Sequence, residues 1–159
     1  MVCELSTDPY VSQTSSLPLD AGEAAALGWI ERQHDRLTEG AGFSFCAVDR
    51  TSGTPVGTVG LWTRGFPGGR VSAGYSLAPS ARGRGVATDA RAAVTDFAWS
   101  LPPIHRIELF IEPCNEGSRR TAARAGYRHE GLLRSHHEIG GQRRDMELWA
   151  RLRTDPGPS

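Results

Sequence analysis

A glycine-rich turn in the middle of the chain constrains its fold more than any other feature. Residues 82–88 read Arg-Gly-Arg-Gly-Val-Ala-Thr and stand between a strand-like run (71–77) and a helix-like run (89–99). Such a turn points several backbone N–H groups at one place, at the positive end of the helix dipole, where a phosphate binds. Glycine permits the positive φ and the close ligand approach that this requires, and arginine adds charge. The predicted pyrophosphate site consists of Arg82, Gly83, Arg84, Gly85, Val86, Ala87 and Thr88.

Two better-known phosphate motifs do not fit this turn. A Walker loop ends in Gly-Lys-Ser/Thr, but all 18 basic residues are arginine and the chain contains no lysine. The absence of lysine also excludes Schiff-base chemistry, and beside abundant Ala, Gly and Arg it indicates a GC-rich bacterial genome. A dinucleotide-binding fingerprint would need a third glycine where Thr88 stands. The remaining pattern is Arg-Gly-x-Gly-x-Ala.

Size, charge and cysteine content narrow the class of protein. At 159 residues the chain is long enough for one domain with its own core. The formal net charge is +0, so we expect neither nucleic acid nor an anionic membrane as a partner. No apolar run approaches the ~18 residues of a membrane span, and no signal peptide is visible. The three cysteines are an odd number without metal-ligand spacing, which predicts reduced thiols, no metal site and a cytoplasmic location.

Hydrophobic periodicity predicts a mixed α/β sheet rather than alternating βα units. Residues 1–19 are rich in Ser, Thr and Pro and are expected to be irregular, whereas 20–153 form the domain and 154–159 a disordered tail. Asp20 is expected to cap a first helix that runs to Thr38, and Asn115 a later helix that stops before Gly126. The predicted strands cover 43–49, 55–62, 71–77, 106–112, 127–137 and 144–152.

Further short motifs follow one another in a fixed order between residues 41 and 152. They are Gly-Tyr-Ser-Leu-Ala-Pro (74–79), Arg-Ile-Glu-Leu (106–109), Pro-Cys-Asn-Glu-Gly-Ser (113–118), Ala-Gly-Tyr (125–127), Glu-Gly-Leu-Leu-Arg (130–134) and Asp-Met-Glu-Leu-Trp-Ala-Arg-Leu (145–152). Together with the glycine-rich turn, they resemble the motifs of GNAT N-acetyltransferases of the RimJ/RimL kind. The resemblance implies a mostly antiparallel sheet flanked by helices. It also implies transfer of an acetyl group from acetyl-CoA to an amine, either a protein N-terminal α-amine or a small-molecule amine.

The same resemblance implies roles for three residues at the acetyl-CoA site. The strand that ends at Leu77 should splay from its neighbour, and the Leu77 backbone N–H should polarise the thioester carbonyl. Asn115 should bond the pantetheine arm, and Ser118 should assist the departing CoA thiolate. The plainer interpretations are a buried leucine, a helix cap and a serine in the first helical turn.

The sequence does not single out the general base as clearly as it does the residues of the cofactor site. His137 falls where RimL-like enzymes carry a glutamate proposed as the base, and a histidine of pKa near 6.5 can deprotonate an ammonium directly or through water. A one-residue slip in strand register would instead turn Glu138 or His136 inward. His137 is the candidate, with Glu138 and a water as alternatives.

One element of the family has no counterpart in the sequence. Family members usually begin with a strand and a helix before the region that matches residues 7–11, and here Met1 stands almost at that point. We therefore expect a sheet without this first strand, with an open edge beside residues 43–49. Either the chain is truncated, or residues 1–19 substitute, or a second copy in a homodimer covers the edge. Because the missing elements normally wall the acceptor site, a CoA-binding protein without turnover is the alternative to an enzyme.

Overall fold

One sheet of six strands forms the frame of the protein, in a computed structural model that describes residues 1–157. The strands are β1 (Gly42–Val48), β2 (Pro55–Trp62), β3 (Arg70–Leu77), β4 (Arg106–Ile111), β5 (Arg128–Ile139) and β6 (Gln142–Leu152). The helices are α1 (Val2–Leu5), α2 (Pro9–Thr14), α3 (Glu23–Thr38), α4 (Val86–Ser100) and α5 (Glu116–Arg124). The strand order is β1-β2-β3-β4-β6-β5, and only β3 and β4 pair in parallel. This mixed, mostly antiparallel sheet confirms the predicted fold class.

Alternating apolar residues give the sheet a buried face against α4 and α5. In β4, the side chains of Ile107, Leu109 and Ile111 are buried, while the residues between them are only partly covered. They share one core with Val94 of α4 and Ala122 of α5. Burying one such aliphatic side chain contributes about 1.5–3 kcal/mol. This core fixes the start of α4, and therefore the glycine-rich loop, at the end of β3.

The two parallel strands separate along most of their length. They pair only over residues 70–72 of β3 and 106–108 of β4. Beyond this point β3 continues to Leu77 and β4 to Ile111 without pairing to each other. The result is a V-shaped gap in the sheet that opens toward the glycine-rich loop, as the resemblance implied.

Residues 1–19 are not irregular, so the expectation from their composition was wrong. They form α1 and α2, and Leu5, Val11 and Leu17 pack with Trp29 of α3 in a second, smaller core. The two helices have 4 and 6 residues, too few for a 3.6-residue period to be recognised in the sequence. Packing against α3, not intrinsic propensity, holds such short helices.

β1 lies at one edge of the sheet. Within residues 1–157 it pairs with β2 alone, in agreement with the expected lack of a first strand. Residues 1–19 pack against α3 and do not add a strand there.

Two helices begin at other residues than the sequence predicted. α3 begins at Glu23, and its N-cap is Gly22 instead of the predicted Asp20, which adopts a positive φ of 51° before the helix. α4 begins at Val86 instead of Asp89, so the glycine-rich loop leads directly into its first turn. The first N–H groups of a helix have no partner within the helix. In α4 these unpaired groups therefore begin inside the glycine-rich segment itself.

The predicted disordered tail is held at its start. The Asp155 carboxylate accepts the N–H of Leu152 at 2.8 Å and lies 3.6 Å from the Arg128 guanidinium. These contacts tie the tail to β5 and β6, so the prediction was wrong here. Positions 158–159 of the predicted tail lie outside the described residues.

Candidate active site

The glycine-rich loop leaves a row of backbone N–H groups free. Gly83 and Gly85 have φ values of 74° and 83°, in the left-handed region that favours glycine. Across residues 1–157, no hydrogen bond reaches the N–H groups of residues 83–87. Free donors at the N-terminus of the 15-residue helix α4 suit a phosphate or pyrophosphate. Binding of the cofactor there stays a prediction.

Arg82 and Arg84 lie at this loop, but each is paired with an acid of the same chain. Arg82 Nη2 lies 2.5 Å from Asp8 Oδ2, and its Nε donates to the Leu77 carbonyl at 3.1 Å. Arg84 Nη2 lies 3.1 Å from Asp49 Oδ2. The expectation that both arginines add full charge to the site is therefore corrected: an acid partly offsets each charge, whereas the backbone N–H groups have no such partner. Sequence could not reveal this because the acids stand 74 and 35 positions away.

A cleft of about 1060 Å³ occupies the gap between β3 and β4. Tyr75 and Ser118 line it from the face of the sheet that carries α4 and α5. Trp62, Phe110 and His137 line it from the other face. The two faces communicate through the gap, so a cofactor on one face and an acceptor on the other can meet in it, as direct transfer requires.

Asn115 and Ser118 meet a tyrosine on the first face. Asn115 caps α5 as predicted, since its Oδ1 accepts the N–H of Ser118 at 3.0 Å. Ser118 Oγ lies 3.2 Å from Tyr75 Oη, so the two hydroxyls share a hydrogen bond. Sequence reasoning missed Tyr75, although strand alternation places it on the same face as Leu77 two residues later. That alternation was the signal that would have revealed it.

A buried arginine stands behind Tyr75. Arg91 of α4 is 3% exposed, and its Cζ lies 4.8 Å from the ring centroid of Tyr75 and 5.7 Å from that of Tyr127. Within the described residues its Nε and Nη1 have no hydrogen-bond partner. Burial lowers the pKa of Arg91, and the two tyrosines act in the opposite direction. An unpaired cation in the interior is costly, and here it places positive charge beside the hydroxyl pair.

Leu77 ends β3 with its backbone directed at the gap. The N–H of the next residue, Ala78, donates to Val56 O of β2 at 3.0 Å. Because successive N–H groups of a strand point to opposite sides, the Leu77 N–H points away from β2 and toward the gap. The side chain itself is buried. Leu77 is therefore a buried leucine, as in the plainer interpretation, and its backbone N–H also points to where the expected contact with the thioester carbonyl would form.

A bulge in β5 comes directly before His137, which lines the cleft. Residues 134–136 of β5 lie opposite the single Asp145 of β6. Ser135 adopts a φ of 52° in this bulge, and its N–H donates to Asp145 Oδ1 at 2.7 Å. A bulge of this kind re-aims the side chains beside it, and its position could not be read from the alternation of residues.

His136 and His137 both lie against the Phe110 ring. The ring centroids are 5.1 and 5.6 Å from that of Phe110, and 4.8 Å from each other. Partial burial, with the nearby His136 and Arg143, lowers the pKa of His137 below its ordinary 6.5. Glu138 also lines the cleft. The structure thus brings His137 to the same cleft as Ser118 and leaves the alternatives beside it.

Residues 1–157 contain neither a candidate metal site nor a candidate membrane-spanning helix. No group of three or more His, Cys, Asp or Glu side chains is arranged to hold a metal ion. No helix there is long and apolar enough to cross a membrane.

Sequence comparison identifies the class to which this fold and cleft belong. The profile of the acetyltransferase (GNAT) domain matches residues 1–128. A protein of Bacillus subtilis strain 168, described as "Probable N-acetyltransferase YjcK", is 31% identical over 128 residues, which cover 79% of this chain and 70% of the relative. The chain belongs to the GNAT acetyltransferase family. It is therefore an acetyl-CoA-dependent N-acetyltransferase by class.

Solved structures share the fold at lower identity. The ribosomal-protein-S5-alanine acetyltransferase of Vibrio fischeri superposes with a TM-score of 0.73 at 24% identity, over 99% of this chain and 90% of that one. The microcin C7 self-immunity acetyltransferase MccE, in complex with acetyl-CoA and AMP, has a TM-score of 0.80 at 16% identity, over 95% and 84%. Acetyl-CoA is thus a cofactor that this fold binds.

Proposed function

We propose that this protein transfers the acetyl group of acetyl-CoA to a primary amine, either a protein N-terminal α-amine or a small-molecule amine. One observation supports this most: free backbone N–H groups at residues 83–87 stand at the open end of a gap that also holds the Ser118–Tyr75 hydroxyl pair. A pyrophosphate suits the first place and a thioester the second. A spermidine N-acetyltransferase SpeG chimera from Vibrio cholerae and hSSAT shares the fold as well, at a TM-score of 0.69 and 19% identity, so the fold alone leaves the acceptor open.

The reaction begins with the acceptor as a free amine, which attacks the thioester carbonyl carbon. The Leu77 N–H stabilises the oxyanion that forms on the carbonyl oxygen. The C–S bond then breaks, the acetylated nitrogen releases its surplus proton to solvent, and the CoA thiolate takes a proton from the Ser118 hydroxyl. Ser118 is reprotonated by Tyr75, 3.2 Å away. The Arg91 guanidinium above the Tyr75 ring stabilises negative charge on that oxygen until solvent returns the proton.

His137 is the proposed base that removes the proton from the acceptor ammonium. Its lowered pKa keeps the imidazole neutral near pH 7, in the form that accepts a proton. An α-amine with a pKa of ~7.7–8.0 needs less help than a lysine at ~10.4. Such a base therefore suits an N-terminal or small-molecule amine, and Glu138 or a water remains the alternative.

The rival proposal is a CoA-binding protein without turnover. The main argument for this rival is that the elements that normally wall the acceptor site are missing. Val2, Tyr10 and Gln13 line the cleft and supply part of such a wall, which weakens that argument. Thermal shift with acetyl-CoA, CoA, NAD and ATP tests binding: at 100-fold excess over Kd the gain is ~2.7 kcal/mol. We expect acetyl-CoA and CoA to stabilise and NAD and ATP not to. A free-thiol assay with a panel of amines tests turnover, and stabilisation without thiol release for any amine would favour the rival.

We also keep a cytoplasmic location as a proposal. Cys3, Cys46 and Cys114 are all exposed and unpaired with one another. Exposed free thiols fit a reducing compartment.

A further inference from the structure

We propose that the acceptor amine carries an anionic group, a phosphate or a carboxylate, and that the guanidinium of Arg36 binds it on the α3 side of the cleft. The inference rests on the proposed function, because it names the chemical class of the acceptor for the same cleft. It stands on four features of that side: a fixed guanidinium, its free donors, its place in the same cleft as the hydroxyl pair and the balance of charge.

A chain of hydrogen bonds fixes the guanidinium. Gln33 Nε2 donates to the Trp29 carbonyl at 3.2 Å, and Ser44 Oγ donates to Gln33 Oε1 at 3.4 Å. Arg36 Nη1 donates to Ser44 Oγ at 3.1 Å, and its Cζ lies 5.2 Å from the centroid of the Trp62 ring. A guanidinium held in this way loses little side-chain entropy when it binds a ligand.

Arg36 has no acid partner in the part of the chain that the structure describes. It forms no salt bridge there, and hydrogen bonds engage only its Nη1. It is half-buried and lines the cleft. Nε and Nη2 therefore remain as a pair of donors, which matches the two oxygens of a carboxylate or phosphate.

The guanidinium lines the same cleft as the Ser118–Tyr75 hydroxyl pair, from the other face of the sheet. The Trp62 ring beneath it lies across Gly60 and Gly74, which pair directly between β2 and β3. A Cβ at either glycine would stand 3.1 Å from the ring. Gly74 precedes Tyr75 in β3, so the two positions face opposite sides of the sheet. An acceptor bound at Arg36 would therefore reach the hydroxyl pair through the gap between β3 and β4, which belongs to the same cleft.

The charge of the cleft on this side is more positive than negative. The charged residues that line it are Arg36, Arg64, Arg70, Glu108 and Glu138. The Glu108 carboxylate is already engaged by Arg106 Nε at 2.7 Å. This surplus repels a second ammonium, as a polyamine would bring, and attracts an anion. It also lowers the pKa of the acceptor ammonium itself, which helps a weak base.

Matched series of linear amines test the proposal. Each series has an amino group at one end and three to six methylenes, and differs only at the other end: phosphate, carboxylate, methyl or ammonium. We expect kcat/KM for the anionic amines to exceed that for the methyl-terminated amines by about tenfold or more at the best length. The ammonium-terminated amines should be the poorest acceptors. Comparing kcat/KM between the phosphate-terminated and the carboxylate-terminated amines shows which of the two anions the site prefers.

Variants of α3 locate the effect. Arg36→Gln should bring the anionic and methyl-terminated amines within about twofold of each other. Arg32→Gln, an exposed position on the same helix outside the cleft, should retain the preference of the wild type. The measured quantity is the ratio of kcat/KM between the anionic and the methyl-terminated amine on one variant. A change in stability or in overall rate affects both amines equally and leaves this ratio unchanged.

The failure of this inference can be told from the failure of the proposed function. Binding of the same amines to the CoA complex, measured by calorimetry, needs no turnover. If no amine is acetylated but the anionic amines bind through Arg36, the proposed function fails and the anion site stands. Equal kcat/KM across the series, a preference for diamines, or an anion preference that survives Arg36→Gln would overturn the inference.

Discussion

A shared hydrogen bond between Ser118 and Tyr75 is the residue-scale feature on which the proposed chemistry depends most. Ser118→Ala should lower kcat by ~10²-fold or more and leave the KM for acetyl-CoA nearly unchanged, because a proton donor to the thiolate acts in the transition state. Tyr75→Phe should lower kcat less, and the double variant should be no slower than Ser118→Ala because the two act as one unit. Steady-state kinetics measure all three.

Tyr127→Phe is the matched control for this prediction. Tyr127 also stacks near Arg91 and bonds Thr95 Oγ1 at 2.8 Å, but it does not line the cleft. Its variant should lose stability and keep kcat. A rise in KM alone for Ser118→Ala would make the serine a binding residue. If neither kcat nor KM changes, Ser118 is only a serine in the first turn of α5.

The lowered pKa of His137 makes the pH profile informative. Because His137 takes up the one proton that the ammonium loses, log kcat/KM for a small α-amine should rise with a slope of one below the histidine pKa and be level above it. That pKa lies below 6.5. His137→Gln lacks this base, so its log kcat/KM should keep rising with a slope of one until the amine is deprotonated near ~8. A profile of the variant that levels off at the same pH as that of the wild type would remove His137 as the base.

At the residue scale, local signals predicted part of the site. The glycine-rich loop and the Asn115 cap depend on neighbouring positions, so the sequence contains them. The Asp8–Arg82 pair and the Tyr75–Ser118 contact join residues 74 and 43 positions apart. Such contacts exist only once the chain has folded, and no local pattern specifies them.

Among the elements, the two short N-terminal helices connect the glycine-rich loop to the turn between β5 and β6. Asp8 caps α2 through the Tyr10 N–H and pairs with Arg82, and the Ser80 N–H donates to Glu4 at 2.9 Å. Gln13 of α2 reaches the turn at Gly140 between β5 and β6. These contacts explain how a segment of 19 residues without a recognisable period still packs in one place.

Two substitutions at Asp8 should separate its cap from its charge. Asp8→Asn keeps a capping oxygen and loses the ion pair, so it should cost about 0.2–1 kcal/mol of unfolding free energy. Asp8→Ala loses both and should cost roughly 1–2 kcal/mol. Despite the opposing effect of burial, the Arg82 and Tyr10 hydrogen bonds lower the pKa of Asp8. This contribution is therefore present above the unfolded pKa of 3.8 and is lost as the pH falls through the lower folded value.

Chemical denaturation at pH 7 and pH 3 measures these differences. Hydrogen exchange in residues 2–14 should also speed up in Asp8→Ala. Equal stability of Asp8→Asn and Asp8→Ala would show that the cap contributes nothing.

Element identity was predicted better than element boundaries. Every strand of the sheet and the three longer helices were expected from the sequence, because each spans six or more residues. α1 and α2 and the bulge in β5 were not, since packing and backbone conformation at Ser135 determine them.

At the scale of the whole molecule, the open edge of β1 predicts a homodimer. The strand carries no charge and no proline between Phe43 and Val48, and Phe45 and Val48 are exposed. Unpaired edges without charge or proline associate, and no segment of residues 1–19 pairs with this edge as a strand. Light scattering at micromolar concentration should give the mass of a dimer. A monomer would refute the prediction.

The most direct test of the account is calorimetric titration of acetyl-CoA into Gly85→Glu and Gly53→Glu. Both glycines have positive φ, and a Cβ at either meets no atom within 4 Å. Each substitution should therefore cost roughly 1–2 kcal/mol and leave the domain folded. Only Gly85 stands at the proposed pyrophosphate site, so Gly85→Glu should abolish binding and acetyl transfer while Gly53→Glu keeps both. An unchanged Kd for acetyl-CoA in folded Gly85→Glu would contradict the account.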